Sequence, residues 1–247
     1  MPHVLGWRAT FGVIAPSTNT VVEPDYNRMC PPGVTAHMGR LHIKDQSMSD
    51  DGQMRDLIQQ IRDDMEPCLE RVLTCAPDYL VMGMSAETFW GGAEGSRAFV
   101  ERVRGLTGLD VSTGADACNQ ALASYGVRRL GVITPYQPVG DEQVRAFFGD
   151  NGYDIVALKG LKCPTAVSIS EVTEDELRRA LLDVDSRDVE ALIQVGTNLS
   201  MVALADEAER WLGKPVIAIN AATWWHALRA NGITDQMRGF GGLLRDF

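Results

Sequence analysis

Two stretches of the chain place polar side chains directly after a short apolar run. The first run ends at Gly83, and the segment behind it contains Ser85 and Glu87. The second run ends at Val195 and is followed by a Gly-Thr-Asn sequence. In open parallel α/β sheets, ligands bind where strands end and the following loops begin. These two stretches are therefore the first candidates for a functional site.

Glu87 is the residue of the first stretch whose type best suits proton transfer. It lies close to Phe89 and Trp90 in the sequence, and aromatic surface raises the pKa of a carboxyl group by desolvation. A raised pKa suits a general acid or base near neutral pH. A glutamate stabilised by the dipole of a helix first turn is the commoner role, and the sequence leaves both roles open.

The elements that must position these residues alternate between strands and helices along the whole chain. This alternation predicts an α/β architecture with parallel sheets. The order also repeats, because Gly12-Val-Ile-Ala-Pro16 returns as Gly131-Val-Ile-Thr-Pro135, and Val81-Met-Gly-Met-Ser85 returns as Ile193-Gln-Val-Gly-Thr197. The repeat predicts two similar halves whose carboxyl strand ends face one cleft. A long helix is predicted over residues 49–73, with Pro67 expected to kink or split it.

Composition narrows the classes of function. The net charge of −10 and the lack of a Lys/Arg run argue against nucleic acid as a partner, and no segment is apolar over a bilayer-spanning length. Five cysteines without a CxxC spacing and an N-terminus without a secretory signal favour the cytoplasm. Four histidines show no metal-ligand spacing, so we expect no metal. The oligomeric state stays open, a homo-oligomer included.

Four segments resemble the aspartate/glutamate racemase superfamily, and within it the branch of arylmalonate decarboxylase and maleate cis–trans isomerase. They are Val13-Ile-Ala-Pro-Ser-Thr-Asn-Thr20, Met82-Gly-Met-Ser85 with Gly91-Gly92, Val132-Ile-Thr-Pro-Tyr136 and Ala208-Glu-Arg-Trp-Leu-Gly-Lys-Pro-Val216. The resemblance is collinear over nearly the whole chain. It implies two pseudo-symmetric α/β halves, residues 1–115 plus 217–247 and residues 116–216, with the active-site cleft between them.

The resemblance also implies a site for a small carboxylate. Hydroxyl and amide donors hold an anion and, where well placed, stabilise an enediolate as its charge develops. Helix capping is the alternative role of each serine and threonine. The predicted substrate-binding residues are Pro16, Ser17, Thr18, Asn19, Gly83, Met84, Ser85, Thr88, Tyr136, Val195, Thr197 and Asn198.

The family's cysteines do not carry over to this chain. Its members use one or two cysteines, and the resemblance places the first position on Gly83 or Met84 and the second on Val195. Two-cysteine racemisation is therefore not expected here. A carboxylic acid, Glu87, becomes the candidate that replaces the missing thiol as proton donor or acceptor.

Two further residues are weaker candidates for proton transfer. His226 lies at the head of the last predicted helix, where a packing histidine is the commoner role. Cys163 precedes a proline and follows Lys162, which favours its thiolate, although an ordinary loop cysteine is the alternative.

Three functions remain open on the sequence. The favoured one is a lyase or isomerase, decarboxylase-like or cis–trans isomerase-like, that acts on a small carboxylic or dicarboxylic acid through an enediolate-type intermediate without a cofactor. The alternative is a non-catalytic carboxylate-binding or sensor protein that lost catalysis with its cysteines. A weaker alternative is a hydrolase or hydratase in which Glu87 activates water.

Overall fold

Eight strands form the centre of the computed structural model, which describes residues 3–247. They are β1 (Ala9–Pro16), β2 (Val34–Leu41), β3 (Tyr79–Met82), β4 (Val111–Ser112), β5 (Arg129–Thr134), β6 (Asp154–Gly160), β7 (Ala191–Gln194) and β8 (Val216–Ala218). They pair in parallel as two four-stranded sheets, in the orders β2-β1-β3-β4 and β6-β5-β7-β8. The same order in both sheets confirms the predicted fold class of two pseudo-symmetric α/β halves.

Ten α-helices flank the two sheets within the described residues. They are α1 (Val22–Arg28), α2 (Asp51–Leu73), α3 (Ala86–Phe89), α4 (Gly92–Thr107), α5 (Gly114–Tyr125), α6 (Pro138–Asp150), α7 (Glu174–Val184), α8 (Val202–Leu212), α9 (Ile219–Ala230) and α10 (Gly242–Asp246). None of these helices combines the length and the apolar character needed to cross a bilayer. The predicted split at Pro67 is wrong, because α2 runs through this exposed position without interruption.

The central strands are buried because helices cover both faces of each sheet. Seven of the eight residues of β1 are buried, which explains why this strand is one continuous apolar run in the sequence. Trp224 of α9 packs edge-on against Phe11 of β1 and stacks on Tyr26 of α1 at 4.7 Å between ring centroids. The chain thus returns to the first half after it completes the second sheet. The boundaries at residues 115 and 216 stay a prediction.

Asn220, in the first turn of α9, joins elements of both halves. Its side-chain Nδ2 donates to Asp25 Oδ2 of α1 at 2.9 Å and to the carbonyl oxygen of Thr197, behind β7, at 3.0 Å. All three residues are buried, and desolvation raises the pKa of the Asp25 carboxyl group although the bond from Asn220 lowers it. One amide therefore ties the loop after β7 to the first half.

We expect Asn220→Ala to lower the free energy of unfolding by about 2 to 4 kcal/mol, because it leaves the buried Asp25 carboxylate and the Thr197 carbonyl without this donor. Urea denaturation measures the change. The control is Asn231→Ala at the far end of the same helix, where Nδ2 donates only to the carbonyl of Ala227 and the expected loss is below about 1 kcal/mol. Equal losses in the two variants would contradict a special role for Asn220.

Candidate active site

A cavity of about 60 Å³ lies where the carboxyl ends of four central strands meet. Each of the loops after β1, β3, β5 and β7 contributes to its lining, and α2 and the segment after β6 close it. The lining residues are Pro16, Thr18, Asn19, Leu57, Ile61, Met84, Ser85, Ala86, Pro135, Tyr136, Ala166, Ile169, Gly196, Thr197 and Asn198. The structure thus brings together eight of the predicted binding residues in one place.

Ser85 is the point at which the polar groups of both halves meet. Its Oγ lies 2.7 Å from the hydroxyl oxygen of Tyr136 and accepts from the backbone N–H of Thr197 at 3.2 Å. One hydroxyl hydrogen lies between Ser85 and Tyr136, in whichever direction it is donated. Because the pair carries two hydroxyl hydrogens, one remains to be donated to another acceptor.

Asn19 supplies a second donor from the first half. Its Oδ1 accepts from the backbone N–H groups of Val21 and Val22 at the start of α1, which fixes the orientation of the amide. Nδ2 donates to Thr197 Oγ1 at 3.1 Å, and its second hydrogen remains available. Thr18 also lines the cavity, with its backbone carbonyl accepting from Asn198 Nδ2 at 3.4 Å.

The side chains of Thr197 and Asn198 are engaged with protein groups. Thr197 Oγ1 donates to the carbonyl of Gly83 at 3.2 Å. Asn198 Oδ1 accepts from the Thr20 N–H at 3.0 Å, while its Nδ2 donates to the carbonyl of Ala166 at 3.0 Å. These two residues hold the loops of the two halves against each other, so their side chains position the cavity wall.

The remaining wall of the cavity is apolar. Leu57 and Ile61 face it from one side of α2, four residues apart, and Ile169 faces it from the segment after β6. That segment is tied to the first half because Met48 N–H donates to the Pro164 carbonyl and an antiparallel bridge joins Ser47 to Thr165. The cavity is thus closed by contacts between the two halves.

No charged side chain and no cysteine is among the residues found to line this cavity. Its only titratable side chain is Tyr136, and burial raises the pKa of this phenol far above its ordinary value. Neutral O–H and N–H donors next to apolar surface therefore define the chemistry of the site. Within residues 3–247, no cluster of side chains has the composition of a metal site.

Residues 11–244 match the model of the arylmalonate decarboxylase family. This chain belongs to that family. It is 23% identical over 243 residues to maleate isomerase of Nocardia farcinica, covering 95% of this chain and 94% of the relative. It is 29% identical over 169 residues to arylmalonate decarboxylase of Bordetella bronchiseptica, covering 66% of this chain and 69% of the relative. The family supports an isomerase or decarboxylase kind of function.

Solved structures of both kinds share the fold of this family member. A cysteine variant of Nocardia farcinica maleate cis–trans isomerase with a covalently bound succinylcysteine intermediate superimposes with a TM-score of 0.87 at 20% identity, over 96% of this chain and 98% of that one. A crystal structure of arylmalonate decarboxylase gives a TM-score of 0.77 at 20% identity, over 95% and 98% of the two chains.

The resemblance assigned the first thiol to Gly83 or Met84 and the second to Val195. Met84 lines the cavity, whereas Gly83 and Val195 are not among the lining residues. Gly83 directly follows β3, and a Cβ atom there would lie 2.8 Å from Val22 Cγ1 and 3.2 Å from the Ala15 Cβ. Val195 is fully buried, and its N–H donates to the carbonyl of Ile133. The space beside Gly83 is thus filled by the first helix of the same half.

Glu87 is not among the cavity-lining residues. Its Oε1 accepts from Arg62 Nε of α2 at 2.8 Å, on the side of α3 where a second, smaller cavity lies. Desolvation raises the pKa of Glu87, while the bond from Arg62 lowers it. The direction of the shift is the expected one, but the apolar side chains in the cavity beside Glu87 include Met65, Phe99 and Leu106, and not Phe89 or Trp90. The sequence therefore indicates the perturbed carboxyl group but not the direction in which it points.

The two weaker candidates also lie outside the lining. His226 Nδ1 is 2.6 Å from Ser112 Oγ in a separate cavity beside β4, and burial lowers its pKa. Cys163 is buried in the segment after β6, and desolvation raises the pKa of its thiol to about 11. The sequence had indicated the opposite direction, because the neighbouring Lys162 favours a thiolate.

Two predicted binding residues have roles in positioning loops. Ser17 Oγ accepts from the backbone N–H of Ile43 at 3.0 Å, which ties the loop after β1 to the end of β2. Thr88 is fully buried and donates its hydroxyl to the carbonyl of Ser85 at 2.8 Å.

The apolar wall is the part of the site that sequence reasoning missed. Leu57 and Ile61 belong to the regular apolar stripe of α2, which by itself is typical of core packing. Ala166 and Ile169 lie in a segment without a periodic pattern. No signal in the sequence distinguishes these side chains from ordinary core residues, because only the meeting of the halves leaves space in front of them.

We expect Gly83→Cys to lower the free energy of unfolding by about 1 to 3 kcal/mol, because the added side chain must displace Val22. Urea denaturation tests this against Gly149→Cys, the same substitution where a Cβ atom meets nothing within 4 Å. The double variant Gly83→Cys with Val22→Ala should regain part of the loss. A Gly83→Cys protein as stable as Gly149→Cys would contradict this account.

Proposed function

We propose that this chain is a cofactor-independent decarboxylase for small malonate-type acids, in which neutral donors hold one carboxylate and the apolar wall receives the other. The observation that carries the proposal is the composition of the cavity, which combines neutral hydrogen-bond donors with apolar surface. It contains no side chain suited to act as a base or a nucleophile near neutral pH.

The donors that remain available in the cavity suit one carboxylate. They are the spare hydroxyl hydrogen of the Ser85–Tyr136 pair, the second Nδ2 hydrogen of Asn19 and the hydroxyl of Thr18. Donors in a site from which water is excluded stabilise negative charge more strongly than they would in water. They would therefore bind the carboxylate and stabilise the enediolate that forms from it.

The apolar wall suits the carboxylate that leaves. Beside Leu57, Ile61 and Ile169, a carboxylate loses the hydration that stabilises its localised charge, which favours a step that moves this charge away. The bond between the α-carbon and this carboxylate breaks, CO₂ departs, and the electron pair delocalises into the retained carboxylate as an enediolate. No residue has to remove a proton for this step.

The enediolate then needs one proton on its α-carbon, and Tyr136 is the proposed donor. The carbanion is a far stronger base than a phenolate, so the raised pKa of Tyr136 does not prevent the transfer. Tyr136 recovers its proton from water when the monocarboxylate product leaves. The sum is one dicarboxylate and one proton giving one monocarboxylate and CO₂.

The same composition disfavours the other reactions considered. Racemisation begins with proton abstraction, and cis–trans isomerisation of a double bond through a covalent adduct begins with a nucleophile. The lining residues include no thiol to act as the nucleophile and no group with a lowered pKa to act as the base. Water activation by Glu87 lacks support as well, since its carboxylate contacts Arg62.

A non-catalytic carboxylate-binding protein is the second candidate. The resemblance assigns the family's thiol positions to Gly83 or Met84 and to Val195, none of which is a cysteine. Loss of the catalytic groups with retention of the donors would leave binding alone, which favours this candidate.

The two candidates differ in a direct assay. Malonate, methylmalonate, phenylmalonate and maleate are screened by thermal shift, and each ligand that binds is then followed for CO₂ release and for the product by NMR. We expect CO₂ from a substituted malonate and no isomerisation of maleate. Binding without turnover would favour the binding protein, and maleate isomerisation would overturn the proposed reaction.

The pH dependence offers a second test. Because the pKa of Tyr136 is raised and the phenol stays protonated, kcat/KM should change by less than about threefold between about pH 7 and 9. A catalytic thiolate or a general base would instead produce a rise across this interval. A tenfold increase in that range would contradict a Tyr136 donor.

Removal of the phenol should affect turnover more than stability. We expect Tyr136→Phe to lower kcat/KM by about 100-fold, because one donor to the enediolate and the proposed proton source are lost. The matched control is Tyr153→Phe in the same half, where the hydroxyl donates to the Asn119 carbonyl outside the cavity. Similar losses of activity in the two variants would indicate an indirect effect.

A further inference from the structure

The carboxylate of Glu87 is buried between α3 and two neighbouring helices, on the side away from the cavity. Its side chain is 10% exposed, and Arg62 Nε donates to its Oε1 at 2.8 Å. Its Oε2 is buried and has no hydrogen-bond partner between residues 3 and 247. The mechanism proposed above does not use this group.

The surroundings of Glu87 hold it in this position. The small cavity beside it is lined by residues of α2, α3 and α4, with Arg62 and Arg102 as the two cationic side chains that face it. Its apolar lining includes Met65, Phe99 and Leu106. The charge of Arg102 also favours the carboxylate, but Arg62 is the residue that donates a hydrogen bond to it, so Arg62 fixes its position.

Each member of the ion pair is next in sequence to a residue that lines the proposed active site. Ile61 precedes Arg62 on α2, and Ala86 precedes Glu87 on α3. The pair therefore spans the two elements that carry the apolar wall and the Ser85 hydroxyl. A change in its length moves one element relative to the other.

Helix α3 depends on such an external contact. It has only four residues, and Ser85 at its start makes no side-chain capping hydrogen bond. Its internal support at this end is the Ser85 carbonyl, which accepts from the backbone N–H of Thr88 at 2.9 Å and from the Thr88 hydroxyl at 2.8 Å. A helix of this length has few internal hydrogen bonds, so tertiary contacts must determine its orientation.

We infer that the Arg62–Glu87 ion pair is a positioning device, which sets the separation between the Ser85 hydroxyl and the apolar wall formed by Leu57 and Ile61. The inference rests on the proposed function of the cavity and adds two residues to it. Neither residue touches the substrate, and both act through their neighbours in the chain.

Four variants separate positioning from proton transfer. Glu87→Gln retains an oxygen that accepts from Arg62 but cannot exchange a proton near neutral pH, whereas Glu87→Ala removes the contact. Arg62→Ala breaks the same contact by removing the more exposed of the two side chains, which costs less folding stability than removal of the buried Glu87. Asp235→Ala is the control, since it removes a partly buried carboxylate from Arg8 in an ion pair away from the cavity.

Steady-state turnover of the best substituted malonate and calorimetric binding of malonate give the readouts. We expect Glu87→Ala and Arg62→Ala to lower kcat/KM by about 10- to 100-fold through misplacement of Ser85, with Glu87→Gln within about threefold of the unmodified protein. Asp235→Ala should lower the melting temperature about as much as Glu87→Ala does. It should leave kcat/KM and the Kd of malonate unchanged. Full activity in Glu87→Ala would overturn the inference.

Loss of turnover in Glu87→Gln with unchanged malonate binding would also overturn it, because that result assigns the proton itself to Glu87. If the unmodified protein turns over no malonate, the proposed function fails, and crystal structures still decide the inference. Positioning requires the distance from Ser85 Oγ to the side chains of Leu57 and Ile61 to change in Glu87→Ala and to persist in Glu87→Gln. A distance retained in both variants would contradict it.

Discussion

The candidate site depends on one junction, at which the Ser85 hydroxyl of the first half meets Tyr136 and the Thr197 backbone of the second. Neither half builds the site alone, because the donors come from loops that end strands of different sheets. Asn220 and Asn198 hold these loops together from behind, and both Nδ2 hydrogens of each residue are used in doing so. The geometry of the donors is therefore a property of the interface between the halves.

Electrical neutrality is the second constraint on this site. A cavity lined by hydroxyl, amide and apolar groups can hold one carboxylate and desolvate another, but it offers no charge and no thiol for addition or proton abstraction. Decarboxylation is the family-type reaction that needs the least from the protein, because the broken carbon–carbon bond leaves its electron pair on the α-carbon as CO₂ departs. The cavity thus favours one of the two kinds of function that the family supports.

The packing of Val22 against Gly83 limits which side chain, and so which chemistry, this position can have. Val22 occupies the position that a side chain at residue 83 would need, so a thiol there requires a change in the first helix as well. None of the residues found to line the cavity is a cysteine that could replace this thiol. The two buried candidates lie outside the lining: Glu87 accepts from Arg62, and the N–H of Cys163 donates to the carbonyl of Pro135.

The sequence by itself determined the alternation of strands and helices, the repeat and the loops that carry the donors, because hydrophobic periodicity and strand-end polarity are local properties. It also indicated Glu87 as a carboxyl group with a raised pKa, although side chains of α2 and α4 line the cavity beside it. Only the tertiary structure decided that Glu87 turns towards Arg62 and that Leu57, Ile61 and Ile169 face a cavity. Orientation and cavity lining depend on how separate elements pack, and a side chain that faces a cavity has the same local pattern as one that faces the core.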